Sequence, residues 1–117
     1  MKEPKFTELL VWKRAHLLAL EVYKVTAKFP KEEMFGLSSQ MRRAALSVAA
    51  NIAEGCKKSK PDFRRYLKIS EGSLEELKYY FMVSRDLGYI DDEKYSGCIT
   101  NANEVGFLLH RLWTSLG

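Results

Sequence analysis

At 117 residues the chain is long enough for one domain, 1–117, that buries roughly two thirds of its unfolded surface without disulfide staples. A hydrophobic content of 46% with 29% charged residues excludes global disorder, and no run approaches the roughly 18 apolar residues that a membrane span needs. The net charge of +4 leans towards anionic partners but is too small to identify one.

Four helical segments follow in chain order. The first, about Thr7 to Lys28, places Val11, Ala15, Leu18, Val22, Val25 and Phe29 at alternating spacings of four and three, the seam of a helix packed nearly parallel to others. Thr7 is positioned to cap its start and Pro30 to stop it. The second, about Leu37 to Ala53, turns Leu37, Met41, Ala45, Val48 and Ile52 inward, with Gly55 as its C-terminal cap. The third begins at Pro61, a favoured first helical position. It carries Phe63, Leu67, Ser70, Leu74, Leu77, Phe81 and Ser84 on one face and ends at Gly88. The fourth starts under Asp91 or Asp92 and repeats the pattern at Tyr95, Cys98, Ala102, Val105, Leu109, Leu112 and Leu116. No segment has strand-like alternation. The connections, Pro30–Phe35, Cys56–Lys60 and Gly88–Ile90, are short, and short links between long helices force antiparallel neighbours. The predicted fold is an all-α, up-down-up-down four-helix bundle.

The stretch from Arg42 to Lys68, RRAALSVAANIAEGCKKSKPDFRRYLK, holds eight Lys/Arg against Glu54 and Asp62, a net of +6. In the predicted topology one end of the bundle collects Lys2, Lys5, Lys13, Arg14, Lys57, Lys58, Lys60, Arg64, Arg65, Lys68 and Arg111. With Glu3, Glu8, Glu54 and Asp62 beside them, eleven bases less four acids leave +7, and the rest of the chain carries −3. A rod with one positive pole can steer a polyanion, because each neutralised phosphate releases counterions. Lys57, Lys58, Lys60, Arg64, Arg65 and Lys68 are the candidate nucleic-acid contacts; the plainer alternative is a lysine-rich turn that keeps the chain soluble.

At about 100° per residue, Gln40, Arg43, Ser47, Asn51 and Glu54 form one polar stripe on the second helix, with Leu46, Ala49 and Ala53 on the opposite flank. The third helix has a second apolar side of Tyr66, Ile69, Tyr80 and Leu87. This surplus points to contacts between subunits, with Arg43, Ser47, Ala49, Asn51, Ala53, Glu54, Tyr66, Ile69 and Tyr80 as interface candidates. Ser47 and Asn51 would then set the register between subunits. Alternatively the stripe is a polar seam inside one subunit, satisfied by the first or third helix.

Catalytic signals are weak, and no cofactor or metal is expected. His16 and His110 lack the Glu-x-x-His pattern of di-iron bundles, and Glu71 and Glu75 sit with Lys68 and Lys78 as a solvated charge ladder. There is no glycine-rich phosphate loop, nucleophile elbow or zinc spacing. Tyr66, Tyr79, Tyr80 and Tyr89 could stack on bases, although packing accounts for two of these positions. Cys56 and Cys98 are far apart and without His or Cys neighbours, which fits free thiols in a reduced, cytoplasmic protein; MKEPKFTELL has no signal-peptide character.

The runs FTELLVWKRAHLLALEVYKVTAKFP and GLSSQMRRAALSVAANIAEG, with the helix from Phe63 to Leu87 ending in DLGYI, resemble the small four-helix proteins encoded in 23S rRNA intervening sequences of bacteria. The likeness covers Phe6 to Leu116. That family in turn resembles the accessory proteins of diversity-generating retroelements, which partner a reverse transcriptase. The resemblance implies a ring, usually a homopentamer, with basic surface suited to nucleic acid. The positions matching its characteristic stretch are Arg42, Arg43, Ser47, Asn51, Glu54 and Gly55. Two functional expectations follow: a non-enzymatic homo-oligomer that binds nucleic acid, RNA before DNA, through its basic pole; or an interaction scaffold whose partner is a protein such as a nucleic-acid enzyme.

Overall fold

The computed structural model describes residues 2–117. A short 3-10 helix, Lys5–Glu8, precedes α1 (Leu10–Thr26); a 3-10 turn, Lys31–Glu33, leads into α2 (Leu37–Gly55); α3 (Lys60–Asp86) and α4 (Asp92–Ser115) complete the chain. Most seam positions read from the sequence form the core, with Leu37, Tyr95, Leu112 and Leu116 partly buried against it. On α3, Phe63, Leu67, Ser70, Leu74, Leu77, Phe81 and Ser84 are all buried, as are Val11, Ala15, Leu18, Val22, Val25 and Phe29 of the first segment. Each helix packs on its chain neighbours, and α1 also packs on α4.

The side-chain pairs fix the directions. Arg42 at the start of α2 meets Tyr23 and Thr26 at the end of α1, and Ser84 near the end of α3 meets Met41. Arg64 at the start of α3 meets Trp113 near the end of α4, while Arg14 and Glu21 of α1 meet Glu104 and Asn101 of α4. Consecutive helices are therefore antiparallel, and the bundle is up-down-up-down.

The helix ends differ from the predicted ones in instructive ways. Thr7 does not cap α1: its hydroxyl donates to the Pro4 carbonyl at 2.7 Å within the 3-10 turn, and α1 starts after Leu9 with no side-chain cap. Gly55 is not a left-handed cap either. It lies inside α2, buried against α3, where a Cβ would come 2.6 Å from Tyr66 Cβ and 2.9 Å from Phe63 Cδ1. Gly88 does take the left-handed conformation, at φ 79°, closing α3 with bonds from Gly88 N–H to Arg85 and from Tyr89 N–H to Ser84. Ser59 caps α3 by accepting from the Asp62 N–H, and Asp91 caps α4 by accepting from the Lys94 N–H at 2.7 Å. At the start of α2 the cap comes from Glu33, whose Oε1 accepts from Leu37 N–H at 3.2 Å while its Oε2 accepts from Tyr89 OH at 2.8 Å. That hydrogen bond and then burial hold the Tyr89 phenol above its ordinary pKa.

The α2–α3 contact is close because its residues are small. Gly55 and Ser70 are buried there, and the Ser70 hydroxyl donates to the Val48 carbonyl at 2.8 Å. A core serine costs little when its hydroxyl finds a carbonyl, and Ser84 does the same with Tyr80 at 2.8 Å.

Candidate nucleic-acid interface

The tight turn between α2 and α3 thrusts a basic cluster into solvent. Ser59 and Pro61 start α3 at once after Gly55, so Lys57, Lys58 and Lys60 sit on an exposed corner; none makes a salt bridge among the described residues. Lys58 Nζ lies 6.0 Å from the Tyr66 ring and Arg65 5.1 Å from it, on the side of α3 next to α2. Arg65 also approaches Asp62 at 3.7 Å, an exposed pair that contributes little to stability.

Arg64 and Lys68, expected as free phosphate contacts, are engaged within the subunit. The Arg64 guanidinium lies 3.8 Å over the Trp113 ring and its Nε donates to the Trp113 carbonyl at 3.3 Å. Lys68 lies 4.3 Å over the same ring and pairs with Glu71 at 3.4 Å. Arg64 is half-buried, so it ties α4 to α3 as well as adding charge. Lys78 pairs with Glu75 at 2.6 Å, completing the surface charge ladder on α3.

Two indoles stand at this end, each with an imidazole along it. His16 stacks on Trp12 at 4.9 Å and 9°, with Phe6 tilted on the same indole at 5.0 Å; His110 lies 6.2 Å from Trp113 at 19°. Both histidines are exposed and both tryptophans half-buried. In the sequence each histidine stands alone and neither tryptophan belongs to a motif. The signal was present as spacing, four residues for Trp12 and His16 and three for His110 and Trp113, which places each pair on one helix face. Of the four tyrosines considered for stacking, only Tyr66 belongs to this end. Tyr79 and Tyr80 lie far along α3, and Tyr89 is bonded to Glu33 at the opposite pole.

The interface candidates divide between two grooves. Arg43 and Glu54 are exposed on the outer α2–α3 groove, beside Ile69 at 44% exposure and half-buried Tyr66 and Tyr80. Burial, more than Glu76 and Tyr79 nearby, raises the Tyr80 phenol above its ordinary pKa. Ser47 and Asn51 are half-buried and satisfied inside the subunit. Ser47 Oγ meets Ser73 Oγ at 2.8 Å, and Asn51 Nδ2 donates to the Ser47 carbonyl at 2.8 Å and to its hydroxyl at 3.1 Å. Ser47 and Ser73 thus make a polar contact between α2 and α3, while Gln40, Arg43 and Glu54 of the stripe stay exposed. Ala49 is a correction: it is 8% exposed and belongs to the core, because α2 buries a face wide enough to reach α1 as well as α3. Half-buried Ala53 lies on the α1 flank with exposed Leu46. Arg42 straps α1 to α2, its Nε donating to Thr26 Oγ1 at 2.9 Å and its guanidinium 4.6 Å over Tyr23.

At the opposite pole a hollow of about 360 Å3 between α1 and α4 is lined by Glu21, Asp91, Glu93, Lys94, Cys98 and Asn101. Burial, with Glu21 nearby, pushes the Cys98 thiol up to about 12, which keeps it protonated and poorly nucleophilic at neutral pH. No helix is long and apolar enough to cross a membrane among the described residues.

The class defined by this geometry is an antiparallel four-helix bundle with one basic, aromatic-lined end. The family model for the 23S rRNA-intervening sequence protein matches residues 7–111, and the chain belongs to that family. Its fold is also that of a crystal structure at 1.70 Å of a protein with unknown function, from the S23 ribosomal protein family of Bacteroides thetaiotaomicron VPI-5482. The two are 23% identical and superpose with a TM-score of 0.82 over 90% of this chain and 96% of that one. No curated protein matches the chain.

Proposed function

We propose that this protein is a non-enzymatic homo-oligomer, assembled as a pentameric ring, that binds nucleic acid through its basic pole, RNA in preference to DNA. The observation that carries this reading is the corner formed by Lys57, Lys58 and Lys60, which is exposed, free of salt bridges among the described residues, and set on the end where charge reaches +7. Lysines held this way contact phosphates with little base specificity, and a ring repeats the contact, so weak binding at each subunit gains strength through multivalency. Exposed Leu46 and Ile69 on two flanks of the bundle support assembly.

The test is anisotropy of labelled RNA and DNA across a salt series, with wild type and Lys57→Glu/Lys60→Glu. These lysines are better targets than Arg64, whose removal would also loosen α4. Binding that weakens steeply with salt, with a log–log slope shallower by about 1 per lost phosphate contact in the variant, is the expected result. No binding at low salt would overturn the reading and leave a scaffold for a protein partner, such as a nucleic-acid enzyme, as the function to pursue.

A further inference from the structure

We infer that the nucleic acid this pole accepts is single-stranded, with unpaired bases stacking on the two tryptophan–histidine platforms. The inference rests on the nucleic-acid reading above and adds the state of the strand. A phosphate-binding corner alone would serve a duplex as well as a single strand, because both present the same backbone charge. What distinguishes this end is the interleaving of cations with π faces. The chain has only two tryptophans, and both stand here, Trp12 on α1 and Trp113 on α4.

Packing explains half of each indole, since both lie against the core. It does not explain the exposed imidazole laid along each ring, His16 at 9° to Trp12 and His110 at 19° to Trp113. An exposed imidazole stacked on the indole turns its outer face to solvent, and that face is a plane on which a base can stack. Tyr66, flanked by Lys58 and Arg65, adds a third ring at the same end. Arg64 and Lys68, held over Trp113 within the subunit, add positive charge beside the His110 platform, and the free Lys57, Lys58 and Lys60 remain for the phosphates. A basic surface carrying such rings is the recognition mode of single-strand binders, in which stacking tolerates any base. A duplex keeps its bases stacked on one another and would leave these platforms unused.

The experiment compares four labelled probes of equal length on the full chain: single-stranded RNA, single-stranded DNA, duplex RNA, and a single strand with abasic sites in place of its bases. The variants are His16→Ala with His110→Ala, both exposed and outside the core. Expected are an affinity for the based single strand about tenfold or more above that for the abasic strand, per engaged base, and quenching of tryptophan fluorescence on binding. The double histidine variant should narrow the gap between the based and abasic strands while leaving abasic and duplex affinity unchanged. Equal binding of based, abasic and duplex probes would overturn the stacking inference and leave the phosphate-binding reading standing. Failure of every probe to bind would defeat both.

Discussion

At the scale of single residues, Gly55 shows how a small side chain is required for a reason unrelated to turns. A methyl group there would meet Tyr66 and Phe63 at distances no real Cβ tolerates. Gly55→Ala should therefore destabilise the protein by about 1–3 kcal/mol, although alanine is the better helix former by about 1 kcal/mol. Urea unfolding of the variant decides it, and a gain in stability would mean that α3 can retreat freely. The thiols separate as sharply. Cys98 is 1% exposed and Cys56 is half-buried, so a thiol reagent should label Cys56 readily and Cys98 only on unfolding. The Cys98 thiol also carries a pH signature. Its pKa rises from an ordinary 9.0 to about 12 on folding, so the unfolded chain loses this proton first. That contribution is intact below pH about 9 and is lost as the pH climbs towards about 12. Cys98→Ala should flatten the fall in unfolding free energy over that window, and an unchanged slope would assign the fall to the tyrosines.

Among elements, α2 and α4 are held by quite different means. α2 lies between α1 and α3 with alanine, glycine and serine at its contacts, strapped by Arg42 on one flank and by the Ser47–Ser73 bond on the other. The end of α4 relies on Arg64, which both stacks on Trp113 and donates its Nε–H to the Trp113 carbonyl. Arg64→Gln keeps some hydrogen-bonding capacity but loses the stacked cation, whose net contribution is about 0.5–2 kcal/mol. Amide exchange should accelerate in the last turns of α4 and remain slow in the middle of α3. The same variant changes nucleic-acid binding for two reasons at once, which is why the lysine corner is the cleaner probe of charge.

For the whole molecule, the sorting of charge and of apolar surface makes the prediction about assembly. Ile69 is 44% exposed on the outer α2–α3 groove. Ile69→Glu should leave helicity intact and lower the mass measured by light scattering if this groove holds subunits together. A parental mass would move the interface to the α1–α2 flank, where Leu46 and Leu20 are 48% and 46% exposed. Ala49→Trp, which reading α2 as a free helix would suggest, tests core packing instead. A dissociated subunit keeps its lysine corner, so a variant that lowers the mass should weaken RNA binding through lost multivalency and not abolish it.

The helical seams were fully legible along the chain. Alternating steps of four and three define one face of an α-helix whatever packs on it, so the buried residues of α3 follow from spacing alone, as do the short antiparallel links and the basic pole they create. The partners of the second faces were not legible. Spacing places Ser47 and Asn51 on a stripe but cannot say that Ser73 of α3 meets Ser47, nor that Gly55 faces Tyr66, nor that α2 buries a face broad enough to take in Ala49. Those contacts depend on how near and at what rotation two helices approach, and that is set by the volumes on both sides of the contact together. The engagement of Arg64 by Trp113, 49 residues away, has the same origin. A helix pattern is a local property of 3.6 residues per turn, whereas the occupant of each groove depends on the packing of the whole bundle.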